Sequence, residues 1–384
     1  MKGKLKTILP LLLISALLCS CGASKEADGI DSVTYISEMA SNAPSESAAP
    51  AADKDPALGE SVLARLNGKE YSSAVYLLFM QEALDSVLSK YDAEPADVPG
   101  LDVMLADGSV ISGKEFCEAY ARNEFEWVCL LSSEFTESGR EINESDYYMS
   151  AAAGANEKYK LNAAKFESLG IGLDDLILYN IYTDLYYENF TAEYSPGGAN
   201  EIPEADLEAL MNNTVRKISY TYLPFYDEGT NKDFSEAEKA ELTGIAKEYL
   251  ARYKNGESFS DIVSENYMLL DSYGVIYDPE GTVIYYPIAD PMLPEAITDK
   301  VETLKENEAA LVTADDYVSV VLRLPVNETK DRQWLDCALE QAYQSPYGDG
   351  YAETVSAMYE SLDLDYDGDV LDQLTLENYI SAAY

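Results

Sequence analysis

In 384 residues the chain carries 70 acidic against 26 basic side chains, a formal charge of −44, and not one histidine. Such a balance excludes nucleic acid as a partner, because phosphate binding needs a basic surface, and it disfavours direct docking on an anionic leaflet. Ser-His-Asp and Cys-His chemistry cannot be built without histidine, and no phosphate loop, dinucleotide fingerprint or G-x-S-x-G elbow occurs. No cofactor is called for, and zinc or iron would lack its commonest ligand, so no metal is expected.

At the N-terminus, Lys2, Lys4 and Lys6 precede an apolar run from Ile8 to Leu18. That run is too short for a membrane span, which needs about 20 apolar residues, and it predicts an export signal over 1–20. Leu18-Cys19-Ser20-Cys21-Gly22 resembles a bacterial lipobox. The resemblance implies cleavage before Cys21, lipid on its sulfur, and an extracytoplasmic place at the bacterial cell membrane. Residues 21–57 are rich in Ala, Ser, Pro, Glu and Asp, too poor in large apolar groups to offset ordering entropy, and predict a disordered tether.

From Ser61 the chain becomes globular. Asn67-Gly68 between apolar-rich arms predicts a hairpin over Leu63 to Tyr71, and Ser72 or Ser73 then caps a helix through Lys90. Asp107-Gly108 marks a second turn, and Lys114 to Phe135 reads as a long helix. Asn143 or Ser145 begins another to Leu169, Gly170-Ile171-Gly172 breaks it, and Asp174 to Phe190 is helical again. Val215 to Leu223 is strand-like. Ser235 and Glu238 have capping-box spacing before a helix with Leu242, Ile245, Tyr249 and Tyr253 on one face, stopped by Asn255-Gly256. A short helix starts near Ser258, and Tyr317 to Leu324 is β-rich. Beyond Pro325, helices are expected over Arg332–Tyr343 and Tyr351–Ser361, with a strand-like tail near Val370 to Leu376.

Gly256-Glu257-Ser258-Phe259-Ser260-Asp261-Ile262-Val263-Ser264-Glu265-Asn266 and Pro291-Met292-Leu293-Pro294-Glu295 resemble two segments of parvulin-type peptidyl-prolyl isomerases. The resemblance implies a small α/β domain with a proline pocket. Its aligned positions are Ser219 and Val318 where the family has histidines, Met292 as in the family, and Ala296 in place of phenylalanine; the glycine-rich segment is reduced to Tyr273–Tyr277. Asn67-Gly68 with Tyr71, Ser72, Tyr76 and Phe79, the Gly170 break, and Glu201 to Leu207 are similar to the SurA and PrsA families of extracytoplasmic foldases. That likeness implies an α+β protein, a mostly helical chaperone core with an inserted parvulin-like domain. Residues 58–207 and 327–384 would build the core, and 208–326 the insertion.

Thirty-one tyrosines are the oddest feature of the composition. Most suit core or boundary positions, while Tyr220, Tyr222 and Tyr285, with Met292, are candidates for contact with unfolded clients. Cys117 and Cys129, on one helix, would lie about 18 Å apart, beyond disulfide reach, so buried structural thiols are expected, with a bridge from Cys337 to one of them as the alternative. Asp363-Leu364-Asp365-Tyr366-Asp367-Gly368-Asp369 begins like a calcium loop, but its twelfth position is Leu374, so a solvated acidic turn is expected. The reading is a membrane-anchored extracytoplasmic chaperone or foldase for newly exported polypeptides, its parvulin-like domain weak or inactive. An active peptidyl-prolyl isomerase is the nearest alternative, since turning a proline bond needs no proton transfer. A solute-binding lipoprotein is the third, though two similar α/β lobes are missing from the pattern.

Overall fold

The structure is a computed structural model and describes residues 57–227, 232–272 and 283–384. The export signal, Cys21, the tether and Tyr273–Tyr277 lie outside the described residues. Strands β1 (Val62–Leu66) and β2 (Lys69–Ser72) form a hairpin across Asn67-Gly68, whose φ values of 52° and 83° are both left-handed, as a tight turn requires. Ser72 then caps α1 (Ser73–Tyr91), its side chain accepting from the Ala74 amide at 3.0 Å. Strands β3 (Asp102–Met104) and β4 (Val110–Ser112) pair across the Asp107-Gly108 turn. A Ser112/Glu115 capping box opens α2 (Gly113–Glu137). Helix α3 (Tyr148–Leu169) stops at Gly170, with φ of 72°, and α4 (Leu173–Tyr194) restarts at once. The Gly59 amide donates to the Leu169 carbonyl at 2.7 Å, and a Cβ on Gly59 would sit 2.5 Å from that oxygen, so only glycine permits this approach.

Next come α5 (Glu204–Thr214) and the ten-residue β5 (Val215–Pro224), followed by a ribbon of β6 (Tyr226–Asp227) and β7 (Lys232–Asp233). Ser235 and Glu238 cap α6 (Glu236–Lys254), which precedes α7 (Phe259–Ser272). Then follow β8 (Val283–Pro287), α8 (Glu295–Thr303), β9 (Ala309–Thr313), β10 (Tyr317–Leu324) and α9 (Arg332–Tyr343). The chain ends in α10 (Pro346–Glu360), β11 (Asp365–Tyr366), α11 (Gly368–Leu371) and α12 (Leu376–Ala383). This is an α+β protein, and among the described residues no helix is long and apolar enough to cross a membrane.

Two compact units divide the described chain, one of residues 203–342 and one of 57–202 with 343–384. Helices α5 and α9 belong to the first. The Asn327 amide donates to the Glu208 carbonyl at 3.2 Å, the Trp334 indole donates to Asn327 Oδ1 at 2.9 Å, and Lys330 pairs with both Glu204 and Glu208.

In the helical unit, β11 adds to the hairpin in the order β11-β1-β2, with Tyr366 opposite Ala64. Phe125 of α2 is fully buried between Tyr71, Tyr76 and Tyr366, with ring centroids 6.0–6.4 Å away. Phe190 and Tyr186 of α4 meet Tyr351 of α10 at 5.6 and 5.0 Å. The two extremes of composition answer one another here, because acids short of basic partners accept from phenols instead. Glu124 accepts from the Tyr182 hydroxyl at 2.6 Å, Glu82 from Tyr120 and Tyr179 at 2.9 and 2.8 Å, and Glu126 from Tyr359 and Tyr366 at 2.9 and 3.2 Å.

The tail departs from expectation. Residues from Val370 to Leu376 form no strand. Asp367 Oδ1 accepts from the Asp369 and Val370 amides and Thr375 caps the next helix, so side-chain caps win over the β-like composition. The same Asp-rich stretch is thus spent on an edge strand and a helix cap. Cys117, Cys129 and Cys337 are buried free thiols, and burial pushes the Cys117 thiol up to about 12, which leaves it unreactive.

Candidate functional site

The sheet of the 203–342 unit runs β8-β5-β10-β9, antiparallel throughout. Strand alternation gives it two faces. On one, Leu223, Val318, Val320 and Leu322 bury against Leu242, Ala246 and Tyr249 of α6 and Phe259, Ile262 and Val263 of α7. On the other, Ile218, Tyr286, Val312, Tyr317 and Val321 bury against Ile297 and Val301 of α8, with Tyr220, Tyr222, Ile284 and Leu293 packed around them.

The α8 face is the candidate site. Tyr222 and Tyr317 lie with ring centroids 5.1 Å apart and planes inclined by 33°. Met292, just before α8, is 71% exposed, and Ala296 on its first turn is exposed too. Buried phenol oxygens of Tyr286 and Tyr317 have no hydrogen-bond partner among the described residues. Burial pushes the Tyr286 phenol up to about 12, and it raises that of Tyr222, helped by Tyr226 and Asp316. Neither can exchange a proton near neutrality. In the middle of the sheet the Ser319 hydroxyl donates to the Thr221 carbonyl at 2.5 Å, while Thr221 Oγ1 accepts from the Val320 amide at 3.0 Å. These bonds fix the two central strands and leave no free base between them. Among the described residues, the half-buried Tyr220, Tyr222 and Leu293 are what the face offers as aromatic and aliphatic surface.

The sequence-derived positions do not converge. Tyr220 and Tyr222 lie on the α8 face with Leu293, the exposed Met292 is the residue before Leu293, and Ala296 sits on α8 itself. Ser219 pairs opposite Leu322, is 5% exposed, and so points to the α6/α7 side, where Val318 is fully buried. Tyr285 pairs opposite Lys217 on that same side, its ring centroid 4.8 Å from the Lys217 ammonium, and the sheet separates it from Tyr222. Its neighbour Tyr286 and the strand residues Tyr317 and Ser319 hold the places on the α8 side instead. A one-residue shift in register exchanges the faces, and only the cross-strand pairing reveals it. Among the described residues no group of three or more His, Cys, Asp or Glu is placed to hold a metal ion.

No protein-family model matches the sequence, and no curated protein matches it. Solved foldase structures are similar in outline. Foldase protein PrsA from Streptococcus pneumoniae aligns over 73% of this chain and 100% of its own at 14% identity, with a TM-score of 0.32. PrsA from Bacillus subtilis aligns over 71% of this chain and 96% of its own at 14% identity, with a TM-score of 0.34. Foldase protein PrsA from Lactococcus lactis covers 83% of this chain and 99% of its own at 9% identity, again with a TM-score of 0.34. At that level of superposition the likeness carries no functional argument.

Proposed function

We propose that this chain is an extracytoplasmic chaperone for exported polypeptides, anchored through Cys21, whose parvulin-like unit binds segments without isomerising them. The observation that carries the reading is the edge of the α8 face, where the half-buried Tyr220, Tyr222 and Leu293 pack on the buried Tyr286 and Tyr317, next to the exposed Met292, in a chain without histidine. Where the parvulin pattern has phenylalanine, Ala296 removes apolar wall worth on the order of 1–2 kcal/mol to a bound proline ring. The purified protein should suppress aggregation of an unfolding client and leave the rate of a prolyl-peptide isomerisation unchanged. Tyr222→Ala should weaken that suppression several-fold with the far-ultraviolet circular dichroism retained. Acceleration comparable to that of histidine-bearing parvulins would install the isomerase reading instead, and absence of both activities would remove the foldase reading altogether.

The anchor has its own test. Cys21→Ala should abolish labelling by a radioactive fatty acid and send the protein to the medium or leave it as an uncleaved precursor. Labelling and membrane retention equal to the parent would dispose of the lipoprotein assignment.

A further inference from the structure

Strand β9 (Ala309–Thr313) ends the sheet of the 203–342 unit, and among the described residues no strand pairs with its outer edge. The hydrogen bonds at its two ends fix which groups face outward. The Ala314 amide donates to the Tyr317 carbonyl at 2.9 Å, and the Arg323 amide donates to the Glu308 carbonyl at 3.1 Å. Bonded pairs alternate along an antiparallel ladder, so Ala310 and Val312 bond inward to Val321 and Ser319 of β10. The amides and carbonyls of Ala309, Leu311 and Thr313 therefore face away from β10. The edge opens toward Thr313, which is exposed, whereas Leu311 is half-buried and Ala309 buried. Asn307, with φ of 62°, donates to the Arg323 carbonyl at 2.7 Å and ends the regular edge at its start.

Sheet edges are ordinarily blunted by proline or by charge. The opposite edge, β8, ends in Pro287, whereas β9 reads Ala-Ala-Leu-Val-Thr, uncharged in a chain where 25% of residues carry charge. Acids bracket this strip. Glu306 and Glu308 stand at one end beside Lys305, and Asp315 and Asp316 at the other, all of them exposed. The Arg323 guanidinium, behind the first end, is spent on the Val301 and Leu304 carbonyls at 3.3 and 2.9 Å. A second copy of this chain, itself at −44, would bring the same acids against the same edge. A polypeptide with basic residues on either side of an uncharged stretch meets both features. We propose that the β9 edge takes an extended polypeptide segment as an added strand, its uncharged stretch bonded to Leu311 and Thr313 and its basic flanks toward Glu306, Glu308, Asp315 and Asp316. The proposal rests on the reading of this chain as a binder of unfolded polypeptides. Main-chain pairing suits such clients, because every sequence but proline offers the same amides and carbonyls.

Amide hydrogen exchange of the full-length protein, read by NMR with the peptide Lys-Lys-Val-Thr-Val-Thr-Val-Lys-Lys, tests it. The peptide should slow exchange at Leu311 and Thr313 by about tenfold or more, and change little at Ala310 and Val312, already bonded to β10. By fluorescence anisotropy, the same peptide with glutamates for lysines, or N-methylated through its core, should bind about tenfold more weakly or worse. Thr313→Pro removes an outward amide and spares the ladder to β10, so it should weaken the parent peptide by a similar factor. Full affinity of the N-methylated peptide, or binding that leaves Leu311 and Thr313 unprotected, would overturn the proposal. Protection that needs no peptide and grows with protein concentration would overturn it too, giving the edge to a second copy. Aggregation suppression without pairing at β9 would sink this proposal and leave the chaperone reading standing, whereas pairing without suppression would do the reverse. The peptide series uses the parent protein, so it decides the matter even if the variant does not fold.

Discussion

Replacing Phe125 by alanine should cost the helical unit about 3–5 kcal/mol, the range for deleting a buried aromatic ring. Phe125 is 0% exposed, and the three rings around it come from β2, α1 and β11, so one side chain joins the hairpin, the first helix and the end of the chain. The C-terminal contribution is reinforced by Tyr366, whose hydroxyl donates to Glu126 at 3.2 Å and whose ring lies 5.7 Å from the Arg122 guanidinium. A protein truncated after Leu362 should therefore lose stability of the same order, because Phe125 and the edge of β1 would both be uncovered. Urea titrations followed by circular dichroism read both. A loss under about 1 kcal/mol in Phe125→Ala would place that ring outside the core.

Local chemistry explains what was legible in advance. The Asn67-Gly68 turn, the Ser72 and Ser235 caps and the Gly170 break are each settled by a few adjacent residues. Long apolar runs such as Val215–Pro224 and Tyr317–Leu324 announce strands whatever their partners. Facing is another matter. Tyr285 and Tyr286 are neighbours in sequence and lie on opposite faces, and Ser219 differs from Tyr220 in the same way. Nothing local sets that choice, which depends on pairing with strands distant in sequence, Ser219 with Leu322 and Tyr285 with Lys217. The strand-like tail failed for a related reason. Val370, Leu371 and Leu374 suit a strand by composition, but Asp367 and Thr375 satisfy helical amides.

The helical unit should become less stable as pH rises through neutrality, and Glu134 should be the main cause. Its Oε2 is buried without a hydrogen-bond partner among the described residues, unlike Glu124 and Glu126, which accept from phenols. Burial, then Glu193 on α4 and Glu137 on its own helix, lift its carboxyl from an ordinary 4.5 to about 7, with the phenols of Tyr186 and Tyr351 close by. The sign follows from proton counting. Between 4.5 and about 7 the folded state keeps a proton that the unfolded chain has released, so protonation stabilises the fold fully below 4.5 and that contribution fades as pH climbs through 7. Because Glu134 is partly accessible, a discounted loss on the order of 2 kcal/mol between about pH 4 and pH 8 is expected from this residue. Asp184, raised to about 6 by burial and Glu188, adds a smaller change of the same sign at lower pH. Relief of general acidic repulsion also favours the fold in acid, so the informative quantity is the difference between variants. Glu134→Gln should match the parent near pH 4 and exceed it by roughly 2 kcal/mol near pH 8. Parallel profiles for Glu134→Gln and the parent would mean that Glu134 is ionised and solvated in the folded protein, and the tyrosine-lined contact between α2, α4 and α10 would then have to be wetter than its packing implies.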